Sequence, residues 1–423
     1  MTDADTTASV EQIRQIAEET LRCGIDAAHP QTLIEEHVSI DNATLTVGDE
    51  RIELNEYEEI VVLGGGNGAG EMAAALESLL QKNLDGGIVC TDAVVEADRI
   101  DVREGDHPVP TDRNRKATDD LLARAERATE DTLIIAVITG GGSALLTAPR
   151  SGVSISSLQY ITKSLLNSGC SVHELNTVRS HLSDIKGGGL VRAASPADVL
   201  GLVVSDVVGD DVGLVASGPT VPRDTTSADV RSVLNRYGVH PPDDVSEALD
   251  FDSKTQATAT EQLTARNVLL ATNRTALDAA ATKASTLGYR PVILSSQISG
   301  EARMAAKTLV EIANECLQSG SPVEPPVALF TGGECTVTVT GDGTGGPNAE
   351  FALSAARELS TEEIVVASID TDGRDGPTDA AGAVVDYRVA AESQRELQEA
   401  LDRNNAYPVL ADAGCLIPSQ GRT

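Results

Sequence analysis

The sequence contains no tryptophan, and aromatic residues make up only 2% of its 423 residues. Basic residues are also scarce, since 32 Lys and Arg stand against 65 Asp and Glu and leave a net charge of −33. No basic patch is visible, which argues against nucleic acids as partners, and an anionic membrane surface would repel the chain. Because acidic residues are spread over the whole chain, we predict a halophilic protein whose self-repulsion is screened by salt.

Long hydrophobic runs are absent as well. No apolar stretch reaches the roughly 18 residues of a membrane-spanning helix. The first ten residues are polar and acidic, unlike a signal peptide, and the six cysteines lie far apart without a C-x-x-C pair. These features predict reduced thiols and a cytoplasmic location.

Short apolar runs such as Ile134–Ile138 alternate with helical patterns along the chain. This alternation predicts an α/β fold with a doubly wound, largely parallel sheet covered by helices on both faces. Residues 241–262 are polar and rich in Pro, Asp and Thr, after which the pattern restarts. We therefore predict a first domain over residues 1–245, a linker over 246–262 and a second, smaller α/β domain over 263–423.

Glycine clusters follow four predicted strands, where open α/β sheets bind ligands and helix N-termini face anions. Each cluster alone is equally compatible with a tight structural turn, but four together favour a phosphate or nucleotide site. The first cluster also matches G-x-G-x-x-A with Asp92 downstream, which is typical of dinucleotide binding. The predicted nucleotide- or phosphate-binding residues are Gly64, Gly66, Gly140, Gly141, Gly142, Ser143, Ser217, Gly218, Thr220, Gly332, Gly333 and Glu334.

Two acidic loops, 205–211 and 370–377, also follow predicted strands. Oxygen-rich loops of this kind suit Mg²⁺, and the alternative is a set of Asx-turns in an acidic protein. The predicted metal ligands are Asp206, Asp210, Asp372 and Asp375.

The few cations of the segment 176–189 stand out because basic residues are rare. Arg179 and Lys186 could neutralise a carboxylate or phosphate, or else lie on the polar face of a helix capped by Gly187. His107 lies in the rigid loop EGDHPVP, where it is equally well explained as a loop anchor or as a base.

These segments together resemble the glycerate 2-kinase family, which pairs a Rossmann-like N-terminal domain with a C-terminal MOFRL domain. The resemblance rests on GDHPVPTD (105–112), TGGGSALLTAP (139–149), HELNTVRSHLSDIKGG (173–188), VVSDVVGDDVGLVASGPTVP (203–222), TGGECTVTVTGDGTGGPNAE (331–350) and DTDGRDGPTDAAGAVVD (370–386). It implies ATP- and Mg²⁺-dependent phosphorylation of the 2-hydroxyl of D-glycerate.

Residue roles also follow from the resemblance. It implies that Asn67, Asp206, Arg179 and Lys186 stand at catalytic positions, and that His107, Asn176 and Arg179 contact the substrate. Asp206, Asp210, Asp372 and Asp375 are candidates for Mg²⁺ binding or for a general base, and Glu334 would contact nucleotide or metal.

Three departures from the family pattern affect the expected activity. Asn67 replaces a lysine regarded as catalytic, Pro347 replaces an arginine regarded as catalytic, and the sequence given ends before a final G-T-N-V-like segment. Removing one charge-stabilising group from such a site commonly costs about 10²–10³ in rate. Three functions therefore stay open: a glycerate-type kinase, an NAD(P)H-dependent hydroxypyruvate reductase, and a non-catalytic binder of nucleotides or sugar acids. The kinase could also be a divergent member with another acid substrate or little kinase activity. A homodimer is one oligomeric state open to test.

Overall fold

A computed structural model describes residues 9–255, 265–390 and 394–419. The chain forms two compact units. The first, His29–Thr272, is called the sheet unit here; the second, Met1–Ala28 with Asn273–Thr423, is called the split unit. No helix of the described residues is both long enough and apolar enough to cross a membrane.

The α-helices of the described residues are α1 Val10–Ala27, α2 Pro30–His37, α3 Ala69–Leu80, α4 Asp112–Ala125, α5 Gly142–Leu145, α6 Ile155–Asn167, α7 Val172–His181, α8 Gly189–Ala194, α9 Ser227–Arg236, α10 Asp243–Thr255, α11 Asn273–Thr286, α12 Ala302–Ser319, α13 Pro347–Glu358, α14 Tyr387–Ala390, α15 Gln394–Asp402 and α16 Ala406–Asp412.

The strands are β1 Val38–Asp41, β2 Thr44–Val47, β3 Glu50–Glu53, β4 Glu59–Gly65, β5 Gly86–Thr91, β6 Ile100–Glu104, β7 Thr132–Ile138, β8 Asp198–Val204, β9 Arg266–Ala271, β10 Arg290–Glu301, β11 Val327–Thr336, β12 Val366–Ile369, β13 Ala380–Val385 and β14 Leu416–Pro418.

The sheet unit is built on a six-stranded parallel sheet in the order β6-β5-β4-β7-β8-β9, which confirms the predicted α/β fold. All seven residues of β7 are buried, because a central parallel strand is covered on both faces. Two separate apolar clusters, around Met72 and around Leu121, fill the two faces. A small antiparallel sheet, β1-β2-β3, completes this unit.

The strand order reverses beside β4. From β4 the chain continues outward through β5 and β6, and it then returns to place β7 on the other side of β4. In doubly wound sheets, the crevice at the carboxyl ends of two such strands is the usual ligand site. Gly65 pairs with Ile138 at this end, so the loops that follow β4 and β7 meet there.

The split unit contains a parallel pair, β10-β11, and an antiparallel sheet, β12-β13-β14. Its main core lies around α13, where Ala352, Leu353, Ala355 and Ala356 are fully buried. The small alanine side chains let α12 and the strands approach this helix closely.

The predicted division of the chain differs from these units. Residues 246–255 of the predicted linker belong to α10, and residues 256–262 lie outside the described residues. Strand β9, placed in the second domain from sequence, pairs with β8 in the sheet unit, whereas α1 packs with α11 in the split unit. Sequence order did not reveal these assignments because hydrogen bonding between distant segments decides them.

Candidate functional site

The turns that follow β4 and β7 are locked together at the strand-order reversal. The backbone N–H of Asn67 donates to the carbonyl of Gly140 at 2.8 Å. Gly66 has a φ of +142°, and a Cβ there would lie 2.0 Å from Thr139 Oγ1. Only glycine fits this position, so the two turns form one close-packed structure.

Gly141 lies directly against the side chain of Asn67. Its φ is +74°, and a Cβ there would lie 2.1 Å from Asn67 Oδ1. That oxygen is buried and has no hydrogen-bond partner within the parts of the chain that are described. Helix α3 is capped by Gly68 without a side-chain bond, so capping of this helix by Asn67, the structural alternative to a catalytic role, does not occur.

Asp206 meets the same turn from the end of β8. A Cβ on Gly140 would lie 2.3 Å from Asp206 Oδ2, so the carboxylate contacts the glycine backbone directly. Asp210 follows in an exposed loop, where its backbone has a φ of +55°. The parallel sheet therefore brings Asn67, Asp206 and Gly140–Gly142 together, as predicted for residues at neighbouring strand ends.

A chain of side-chain hydrogen bonds lies beneath this turn. Ser217 Oγ donates to Asn176 Oδ1 at 2.6 Å, and Ser143 Oγ lies 2.9 Å from Ser217 Oγ. Ala216 and Ser217 both have positive φ values, +51° and +62°. Non-glycine residues in this region are strained, and such strain is concentrated at functional sites.

Helix α7 brings Asn176 and Arg179 to the same region. The helix starts with a capping box between Ser171 and Glu174, and residues three apart share one face. Arg179 is partly buried, and burial lowers the pKa of its guanidinium to about 10. Within the described residues, this guanidinium forms no hydrogen bond and no ion pair.

Lys186 is almost completely buried, with 1% of its surface exposed. Its Nζ donates to the carbonyl of Leu146, at the end of α5, at 2.5 Å. Burial, and secondarily the charge of Arg179, lowers the pKa of Lys186 to about 7. No carboxylate among the described residues pairs with it.

The alternative prediction of one helix carrying both cations is wrong for Lys186. Helix α7 ends at His181, and Lys186 lies beyond it in a turn. Gly187, with a φ of +54°, donates its N–H to the carbonyl of Ser217 rather than capping α7. Lys186 is thus tied to both the Ser143 turn and the Ser217 turn.

Three other predicted residues of the sheet unit have different surroundings. His107 is exposed in the loop after β6, which Asn114 holds through bonds to Asp106 and Thr111. Thr220 Oγ1 donates to Asn267 Oδ1, so its hydroxyl anchors the loop to the sheet. The carbonyl of Gly218 accepts from the N–H of Gly188 at 2.8 Å.

The remaining predicted residues belong to the split unit. Gly332, Gly333 and Glu334 lie inside β11, which continues through the glycines to Thr336, so this cluster does not follow a strand as predicted. A Cβ on Gly332 would lie 2.0 Å from Asn273 Oδ1, which explains the glycine there as a close-packing position.

The carboxylate of Asp375 caps α13. Its oxygens accept from the backbone N–H groups of Asn348 and Ala349 at 2.9 and 2.8 Å, and Pro347 is the first residue of this helix. Asp375 is therefore committed to the helix N-terminus, where a negative charge is favourable. Asp372 is exposed nearby, and Arg374 donates its Nε to the carbonyl of Thr378.

The predicted site residues did not include Leu146, which supplies the carbonyl for Lys186, or Thr139, which contacts Gly66. In the acidic loop of the split unit, burial and the charge of Asp372 raise the pKa of Asp370 to about 8. A backbone carbonyl has no sequence signal. The position of Thr139 directly after a strand was the one available indication.

The described residues contain no group of three or more His, Cys, Asp or Glu arranged to hold a metal ion. The dinucleotide pattern has its usual placement, since Asp92 follows β5 next to β4. Geometry alone therefore does not choose between nucleotide classes.

Comparison with known proteins identifies the family to which this chain is similar. A model described as a domain of unknown function, DUF4147, matches residues 16–250, and the MOFRL family model matches residues 327–423. A relative from Pyrococcus horikoshii named glycerate 2-kinase is 36% identical over 416 residues, covering 96% of this chain and 93% of that protein.

Two further matches also extend over most of the chain. A glycerate kinase from Thermotoga maritima, known from its crystal structure, is 32% identical in sequence and matches with a TM-score of 0.82. The match covers 96% of this chain and 96% of that chain. A relative from Agrobacterium vitis with the provisional name hydroxypyruvate reductase is 39% identical over 330 residues, covering 77% of this chain and 75% of that protein.

Proposed function

The chain belongs to the glycerate 2-kinase family, and we propose that its sheet unit binds a small hydroxy acid and the phosphates of ATP at the carboxyl ends of β4, β7 and β8. The activity is that of a kinase that phosphorylates glycerate. We further propose which residues bind the acid, that the phosphate donor is ATP, and that Mg²⁺ is the metal ion.

One observation supports the site most strongly. Lys186 and Arg179 lie close enough for their charges to interact, and neither has a carboxylate partner among the described residues. Burying cations without a counter-charge is costly, and a bound anion would compensate this cost. We assign the substrate carboxylate to this pair.

The phosphates of ATP are assigned to the glycine turns. Gly140 and Gly141 are partly exposed at a strand end, and amide N–H groups in such turns favour negative oxygens. Gly68, at the start of α3, is a second partly exposed glycine on the adjoining turn. Neutralising the γ-phosphate and positioning it near the acceptor hydroxyl accounts for most of the catalysis of phosphoryl transfer.

Mg²⁺ fits this site through few protein ligands. It typically takes one or two carboxylates and completes its shell with water and substrate phosphates. Asp206, in contact with Gly140, is placed for this, and Asp210 follows in the same loop. Asp375 does not fit, because both its oxygens bind the N-terminus of α13. When bound, Mg²⁺ would neutralise phosphate charge.

Asn67 stands where the family has a lysine, and it presents a buried amide oxygen instead of an ammonium. We propose that this lowers turnover but leaves binding intact, because Lys186 and Arg179 remain.

A coupled assay of ADP formation tests the function. Purified protein at molar KCl is supplied with MgATP, and ADP formation that depends on D-glycerate supports the proposal. Oxidation of NADH by hydroxypyruvate in the absence of ATP would support the reductase alternative, which the dinucleotide pattern at β4 and the Agrobacterium relative favour. Ligand-induced stabilisation without either turnover would indicate a binding protein.

A further inference from the structure

The chain of hydrogen bonds from Ser143 through Ser217 to Asn176 has a fixed direction. A serine hydroxyl carries a single proton. Ser217 gives its proton to Asn176 Oδ1 at 2.6 Å, and the amide of Asn176 is oriented by its Nδ2, which faces the carbonyl of Leu214. Ser217 Oγ can therefore only accept at its other side, so the hydroxyl of Ser143 donates across the 2.9 Å contact.

This direction leaves Ser143 Oγ without a proton for any ligand. Its remaining lone pair can only accept a hydrogen bond. Asn176 and Ser217 are 7% and 2% exposed, so water cannot readily reverse these hydrogen bonds, whereas Ser143, in α5, is only partly buried. A partly buried oxygen that can only accept selects a ligand group that donates.

Phosphate oxygens are acceptors at neutral pH, so a phosphate is the wrong partner for this atom. The hydroxyl groups of a hydroxy acid can donate. Resting on the proposed function, we infer that Ser143 Oγ accepts a hydrogen bond from the non-reacting hydroxyl of the acid substrate, making Ser143 a specificity-determining residue. Its predicted role in phosphate binding then passes to the backbone of Gly140–Gly142.

The position of Arg179 is consistent with this assignment. Asn176, which ends the chain, and Arg179 lie one turn apart on α7, a spacing of about 5 Å along the helix axis. The hydrogen-bonded residues and the guanidinium assigned to the substrate carboxylate therefore share one face of α7 at Asn176 and Arg179.

The test compares D-glycerate with D-lactate, which is the same acid without the 3-hydroxyl. For the wild type we expect a kcat/KM ratio strongly in favour of glycerate, because a site built to bind a hydroxyl rejects an analogue that lacks it. Ser143→Ala should lower this ratio at least about tenfold by reducing kcat/KM for glycerate alone. Ser143→Thr, which retains the oxygen, should restore most of it.

Ser180→Ala is the matched control. This buried serine lies on α7, as Asn176 does. Its hydroxyl donates to the carbonyl of Thr177 and takes no part in the Ser143–Ser217–Asn176 hydrogen bonds. The ratio should be unchanged in this variant.

A measurement on the wild type does not depend on the folding of any variant. The 3-fluoro analogue of D-lactate has nearly the shape of glycerate but cannot donate at C3. We expect its kcat/KM to fall to that of lactate. A fluoro analogue used as well as glycerate, or an equal loss for both acids in Ser143→Ala, would overturn this inference alone. Absence of glycerate-dependent ADP formation in the wild type would overturn the proposed function and the inference together.

Discussion

Burial, together with the neighbouring charge of Arg179, lowers the pKa of Lys186, and both cations lack a carboxylate partner among the described residues. With its pKa at about 7, Lys186 is cationic below this pH and neutral above it. Only the protonated form of Lys186 attracts the substrate carboxylate, so we expect KM for D-glycerate to rise as the pH increases from about 6 to about 8. Steady-state kinetics over this pH range would measure the change in KM.

Two variants locate the source of this pH dependence. Lys186→Met should raise KM at low pH and remove the dependence, whereas Lys163→Met, an exposed lysine on α6, should behave as the wild type. A wild-type KM that stays constant over the range would contradict the assignment.

Gly141 and Gly169 form a matched pair for testing the phosphate turn. Their φ values, +74° and +73°, are nearly equal, but a Cβ would meet Asn67 only at Gly141 and meets nothing within 4 Å at Gly169. In both alanine variants, backbone strain should lower the free energy of unfolding by about 1–2 kcal/mol. Only Gly141→Ala should also lower kcat/KM, by at least about tenfold, because the new Cβ forces Asn67 away from the turn.

Thermal unfolding of both variants would measure the loss of stability, and ADP-formation kinetics would measure the change in kcat/KM. Equal activities would show that the packing of Gly141 against Asn67 is irrelevant to turnover.

Asn67→Lys tests whether the site still needs a cation at this position. We expect kcat for glycerate phosphorylation to rise, by up to about the 10²–10³ that one charge-stabilising group contributes. Asn67→Met, similar in length but uncharged, is the control and should give no gain. A loss of activity in the lysine variant would mean that the site has been rebuilt around another group.

The fold and part of the site were accessible from the sequence. Buried strands such as β4 and β7 carry continuous apolar runs, and the glycines after them mark the ligand end of a parallel sheet. The sequence alone therefore predicts that Asn67, Gly140 and Asp206 lie at one edge of the sheet.

The remaining features depend on contacts between distant segments. Lys186 has the spacing of a helical polar residue, but a turn buries it against Leu146. Asp375 has the sequence context of a metal loop, but the N-terminus of α13 lies against it. The direction of the Ser143–Ser217–Asn176 chain likewise depends on loops more than 30 residues apart.

Salt should stabilise this protein. The net charge of −33 produces self-repulsion that screening weakens, so the melting temperature should rise from low salt to molar KCl. Differential scanning calorimetry at several KCl concentrations would measure the change, with sodium chloride as a control for ion identity. An unchanged melting temperature would contradict the halophilic assignment.

The most direct test of the central claim is phosphorus NMR of the product formed from MgATP and D-glycerate at molar KCl, with wild type and Lys186→Met in parallel. The account predicts ADP and 2-phosphoglycerate from the wild type, and at least about tenfold slower formation from the variant. A phosphate on another oxygen, no phosphorylated acid, or equal rates for the two proteins would contradict it.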